Sequence, residues 1–69
     1  MNARQMMYKL QAALCRNDRA IRINQRQFYS EDMGKMISQY ILIEGNDTLL
    51  ESYSPIEVVR FLAKELGDG

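Results

Sequence analysis

Lys35-Met36-Ile37-Ser38-Gln39-Tyr40-Ile41-Leu42-Ile43-Glu44 is the stretch that decides the fold. Its centre, Tyr40-Ile41-Leu42-Ile43, is an uninterrupted apolar run, the pattern of a strand buried on both faces. Turn signals bound the run on either side. Ser30 to Gly34 precedes it, and Gly34 is free to take positive φ. Gly45-Asn46-Asp47 follows it as a hairpin turn. Beyond the first turn, residues 20–29 read as a strand of period two, with Ile21 and Ile23 alternating with Arg22 and Asn24. Beyond the second, residues 48–53 read as a short third strand.

A helix is expected on each side of these strands. Residues 3–16 carry Met6, Met7, Leu10, Ala13 and Leu14 at three- and four-residue spacing, Asn2 can cap the start, and Asn17-Asp18 breaks the pattern. The adjacent methionines read as adaptable core. Ser54-Pro55-Ile56-Glu57 is the sharpest local signal in the chain. Ser54 caps a helix, Pro55 takes its first position and Glu57 completes a capping box. Ile56, Val59, Leu62, Ala63 and Leu66 supply its apolar stripe, and Gly67 ends it. The expected fold is therefore α+β, in the order α-β-β-β-α. It is a three-stranded antiparallel meander with two helices packed on one face, forming a single domain over residues 1–69.

Two registers decide what the sheet shows to solvent. If residues 30–34 are a five-residue loop, Tyr29 faces Lys35, Ile23 meets Ile41 and Ile21 meets Ile43. If Asn46-Asp47 is a two-residue turn, Ile43 meets Leu50. Both registers put Ile21, Ile23, Ile37, Ile41, Ile43 and Leu50 on one face, the one that takes the helices. The other face then shows Arg22, Asn24, Arg26 and Phe28, then Met36, Ser38, Tyr40 and Leu42, then Leu49, Glu51 and Tyr53. Neither helix is left to cover it. A patch containing Phe28, Met36, Tyr40, Leu42, Leu49 and Tyr53 is large for a monomer, and Phe28, Met36, Tyr40, Leu42 and Tyr53 are the candidate interface. Its side-chain types are those favoured at protein contacts. A one-residue slip of either hairpin would exchange the faces of a strand. Gln25, Gln27 and Gln39 fall on the isoleucine side near the first turn, so that tip either overhangs into water or projects toward a partner.

The totals favour association. The chain has 69 residues and one cysteine, and a domain of this size buries only about 60% of the surface its unfolded chain exposes. Disulfides, metals and oligomers are the usual supports for such small cores. Cys15 alone cannot close a disulfide within the chain, and no histidine or second thiol is present for zinc. Oligomerisation remains, and a homodimer or a complex with another protein is expected.

Catalytic signatures are missing. Without histidine, Cys15 has no activating base and reads as a small apolar filler in its helix. Glu31-Asp32 are carboxylates of a solvated turn, Gly45 has no phosphate-cradling pattern around it, and Ser30 and Ser54 serve turn and cap. No cofactor, no metal and no enzymatic activity are expected. Nucleic-acid binding is the alternative. Residues 1–29 carry six basic side chains against one acidic, and residues 30–69 three against eight. Such a split either serves an acidic partner or neutralises locally when the halves pack together. Arg16, Arg19, Arg22 and Arg26 are suited to phosphate, with Phe28 and Tyr40 as stacking surfaces; the same arginines would equally protect an exposed edge strand. The order α-β-β-β-α resembles that of double-stranded-RNA-binding domains in topology. Those domains open their last helix with a lysine cluster, where this chain has Ser54-Pro55-Ile56-Glu57, so their activity does not carry over.

Met1 to Leu10 holds no long apolar run, so no leader is expected, and no stretch approaches the ~20 apolar residues of a membrane span. A single free thiol suits a reducing cytoplasm. Three segments together, Ile21-Arg22-Ile23-Asn24-Gln25-Arg26-Gln27-Phe28-Tyr29-Ser30-Glu31, Tyr40-Ile41-Leu42 and Ser54-Pro55-Ile56-Glu57-Val58-Val59, resemble small uncharacterised proteins of phages and mobile elements in Gram-positive bacteria. That resemblance implies no catalytic residue. It implies an accessory or regulatory protein that acts by binding.

Overall fold

In the computed structural model, which describes residues 1–68, the elements are helix α1 (Ala3–Arg16), strands β1 (Ile21–Ser30), β2 (Lys35–Glu44) and β3 (Asp47–Ser52), and helix α2 (Pro55–Asp68). Gly69, the last residue of the expected domain, lies outside the described residues. The strands form an antiparallel sheet in the order β1-β2-β3. Helix α1 packs against α2 and β1, and α2 against β3. The α+β class and the α-β-β-β-α order are as the sequence led us to expect.

Local chemistry sets the helix ends. The Asn2 side chain accepts from the Gln5 backbone N–H at 2.9 Å, and the Gln5 side chain accepts from the Asn2 N–H at 3.2 Å, a complete capping box. At the other end of α1, the Asp18 N–H reaches the Cys15 carbonyl at 3.2 Å and the Arg19 N–H reaches the Leu14 carbonyl at 2.9 Å. This is a Schellman closure, with Asp18 at φ 64° in the position glycine usually fills. Asp18→Gly should therefore stabilise the fold, by about 0.5–1 kcal/mol, once the looser unfolded chain is set against the relieved left-handed backbone. A urea titration checks this, and a lowered midpoint would contradict it.

The cap of α2 differs from the expected box. Ser54 Oγ accepts from the Glu57 N–H at 3.3 Å, as expected. The Glu57 carboxylate turns instead to the Ser52 hydroxyl, which donates to it at 3.0 Å, and the Ser54 N–H donates to Ser52 Oγ at 3.0 Å. Ser52 thus relays the second arm of the cap. It is buried, 5% exposed, the one polar side chain so placed among the described residues. Gly67 does not end α2, which continues to Asp68.

The face that β2 turns to the helices is the main correction. Ser30 belongs to β1 and pairs with Lys35, so the loop holds four residues, Glu31 to Gly34, rather than five. Ser30 closes that loop itself: its carbonyl accepts from the Gly34 N–H at 2.8 Å and its hydroxyl accepts from the Met33 N–H at 3.3 Å, with Gly34 at φ 67°. Ile21 accordingly lies opposite Glu44, Ile23 opposite Leu42 and Gln25 opposite Tyr40. The second turn is Gly45-Asn46 rather than Asn46-Asp47. Glu44 pairs with Asp47, and Gly45 supplies positive φ at the first turn position, as type II′ turns require. A bulge between Leu42 and Ile43 then brings Leu50 opposite Leu42 and Glu51 opposite Ile41. So β1 keeps its expected face, as do Leu50 and Glu51 of β3 beyond the bulge, and β2 is inverted. Tyr40 and Leu42 lie beneath the helices, while Ile37, Ile41 and Ile43 look the other way.

The core follows from that inversion. Met7 and Leu14 of α1, Ile21, Tyr40 and Leu42 of the sheet, and Val58 and Leu62 of α2 are buried together. Leu10, Ile23, Leu50, Phe61 and Leu66 close its edges, as does Leu49, which the bulge carries in from its expected place on the open face. The buried stripe of α2 runs through Val58 and Leu62, and Ile56, expected inside, is 56% exposed. Cys15 is likewise exposed rather than packed as filler.

Candidate interaction surface

Cross-strand pairing assembles the uncovered face row by row, because opposed residues in an antiparallel pair project to the same side. Arg22, Ile43 and Thr48 form one row, and Asn24, Ile41 and Glu51 the next. Arg26 and Gln39 follow, then Phe28 and Ile37. The result is striped. Arginines run along β1, an isoleucine ridge of Ile37, Ile41 and Ile43 along β2, and Thr48 and Glu51 along β3. Arg22, Arg26 and Glu51 are exposed and the isoleucines are half-buried by their neighbours. Among the described residues no helix or strand lies over this face. Tyr53, just past β3, sets its ring edge-on to Phe28, with centroids 6.4 Å apart and planes at 68°, so two aromatic rings finish the ridge at one end.

At that same end β2 has a free edge. Strand β3 stops opposite Tyr40, so Lys35 to Gln39 pair only with β1. A groove of about 660 Å³ lies along this edge, its lining including Phe28, Met33, Met36, Tyr40 and Tyr53 together with Lys35 and Asp32. Tyr29, Met33 and Met36, each 60% exposed, make the hairpin tip an apolar projection.

The five expected interface residues are thus redistributed. Phe28, Met36, Tyr40 and Tyr53 meet around the groove, but not on one flat face. Tyr40 is 3% exposed, its ring in the core and its edge on the groove, and Leu42 is wholly buried. Neither belongs to an open apolar surface, because the four-residue loop turned both inward. The residues that do form the surface, Ile37, Ile41 and Ile43, were assigned to the core. Their signal lay in the turns: Ser30 as a loop-closing residue, and Gly45-Asn46 as the dipeptide suited to a type II′ turn.

The four arginines of the nucleic-acid alternative do not gather on one surface. Arg22 and Arg26 share the open face, and Arg16 is exposed in the last turn of α1. Arg19 is occupied. Its Nε and Nη2 grip the Glu44 carboxylate at 2.7 and 3.1 Å, and Nη2 also reaches Glu65 Oε1 at 3.2 Å. The Schellman turn delivers Arg19 to this clamp, which ties the α1–β1 connection to the end of β2 and to α2. The hydrogen bonds from Glu44 and then Glu65 hold the Arg19 guanidinium far above its usual pKa. The hydrogen bond from Arg19, opposed by desolvation, holds the Glu44 carboxyl below its own. The Glu44 contribution to stability is therefore in place above the unfolded carboxylate value and is lost as pH falls through the lowered one. All three side chains are about one-third exposed, so salt screens the clamp.

No cluster of three metal-ligating side chains occurs among the described residues, and none of their helices is long and apolar enough to cross a membrane. Comparison with protein-family models, with curated proteins and with solved structures returns no match.

Proposed function

We propose that this chain is a non-enzymatic interaction module that works by burying the open face of its sheet against another protein chain. One observation carries the reading: the isoleucine ridge of β2, finished by Phe28 and Tyr53, has no covering layer among the described residues. Uncovered apolar surface of this kind, rimmed by charges, is what protein contacts are made from. The absence of histidine and of an activated nucleophile in the sequence supports a binding rather than a chemical role. The single thiol supports a cytoplasmic setting, and the resemblance to small phage and mobile-element proteins supports an accessory or regulatory one.

A photo-activatable residue in place of Ile41 tests the reading directly. Irradiation in the producing cell should yield discrete covalent adducts, while the same residue in place of Ala63, which is exposed on α2, should yield none. Absence of adducts at position 41, with the protein folded, contradicts the proposal.

A further inference from the structure

We infer that the occupant of the open face is a second copy of this chain, related by a two-fold axis parallel to the strands, so that β1 of each protomer lies over β3 of its partner. The inference rests on the open face being the binding surface and adds what binds it and how. The striping is self-complementary about the line of β2. One flank is basic, with Arg22 and Arg26, the other is acidic, with Glu51, and the apolar ridge lies between them. Rotation about an axis along that ridge sets Ile41 and Ile43 on their own symmetry mates and exchanges the flanks, which is the condition for an isologous contact.

The levels of the side chains sharpen the fit. Glu51 shares its row with Asn24 through Ile41, midway between the rows of Arg22 and Arg26. The rotation therefore lays each Glu51 over Asn24 of the partner subunit, with an arginine about two residues, ~7 Å, along the strand on either side. Both arginine side chains span that distance. The other aligned packing of two sheets, with the axis across the strands, stacks β1 on β1 and β3 on β3. It sets Arg22 and Arg26 against their own kind and Glu51 against Glu51. Pairing two β1 edges likewise brings arginine rows together, and the bulge interrupts the edge of β3.

The size of the face sets the strength. Three strands ~4.8 Å apart and up to ten residues long offer roughly 450 Å² per protomer, about half the ~800 Å² of a standard interface. The dimer is thus reversible, with a dissociation constant in the micromolar range or weaker, and its charged flanks select the partner more than they strengthen the contact.

A charge exchange tests the arrangement. Arg22→Glu/Arg26→Glu makes both flanks acidic, and Glu51→Arg makes both basic. All three sites are exposed, so the fold is retained, and far-UV circular dichroism verifies it. In sedimentation equilibrium the unmodified chain should dimerise, each variant alone should dimerise at least about tenfold more weakly, and an equimolar mixture should recover the original affinity as a heterodimer. The dissociation constant of the unmodified dimer should also rise with salt. A chain that stays monomeric to millimolar concentration overturns the second copy as occupant, while adducts to another protein at position 41 would still uphold the open face as a binding surface. A dimer whose mixture fails to recover, or whose affinity is indifferent to both charge changes and salt, overturns the axis.

Discussion

Leu42→Ala is expected to cost about 2–5 kcal/mol, whereas Ile41→Ala, one residue away on the same strand, should cost about 1 kcal/mol or less in the monomer. Leu42 is wholly buried among Ile21, Tyr40, Met7, Val58 and Leu62, and truncation there leaves a cavity that two helices and a sheet cannot collapse to fill. Ile41 lies on the opposite face with Asn24 and Glu51 for neighbours. A chain of this length has of order 3–10 kcal/mol of total stability, so the Leu42 variant stands at the edge of unfolding while the Ile41 variant remains folded. Urea midpoints separate the two. The reverse order would mean that β2 keeps the face its isoleucines suggest.

Ser52→Ala should cost about 1–3 kcal/mol, more than the loss of a hydroxyl from the surface. The Ser52 hydroxyl accepts from the Ser54 N–H and donates to the Glu57 carboxylate. Alanine leaves the first without its partner at a position 5% exposed and releases the second from the cap of α2. Since α2 supplies Val58 and Leu62 to the core, fraying its first turn loosens packing as well. Far-UV circular dichroism across a urea titration reports both effects. An unchanged midpoint would show that the direct Ser54 cap suffices and that Ser52 is a bystander.

Much of this fold is legible residue by residue. Asn2 and the stripe from Met7 to Leu14 define α1, and the bounds of β2 fall where Gly34 and Gly45 put them. The start of α2 is written in Ser54-Pro55. Strands β1 and β3 could be faced from sequence because charged residues alternate with apolar ones there: Arg22 and Arg26 cannot be inside while Ile21 is, and Glu51 must leave Leu50 to the core. Strand β2 offers no such contrast. Tyr40 and Leu42 on one side and Ile41 and Ile43 on the other are equally apolar, so its facing hangs on whether the preceding loop has four residues or five. That difference is a single strand pair, Ser30 with Lys35, held by two hydrogen bonds of the loop itself. The open apolar face was therefore foreseeable as a feature and not as a set of residues. Arg19 illustrates the same limit from the side of charge. Nothing in its sequence neighbourhood announces Glu44 and Glu65, which arrive from 25 and 46 residues away.

Everything functional rests on β2 turning Ile41 outward and Leu42 inward. The native thiol can be removed by Cys15→Ser, and a single reporter then introduced by Ile41→Cys or Leu42→Cys. At concentrations below self-association, a neutral thiol reagent should label the first under native conditions without any need for unfolding, at the rate of a half-exposed cysteine. It should label the second only through unfolding, and so several-fold more slowly even though that substitution itself lowers stability. Fast native labelling after Leu42→Cys, with protection after Ile41→Cys, would contradict the structure and the interaction surface built on it.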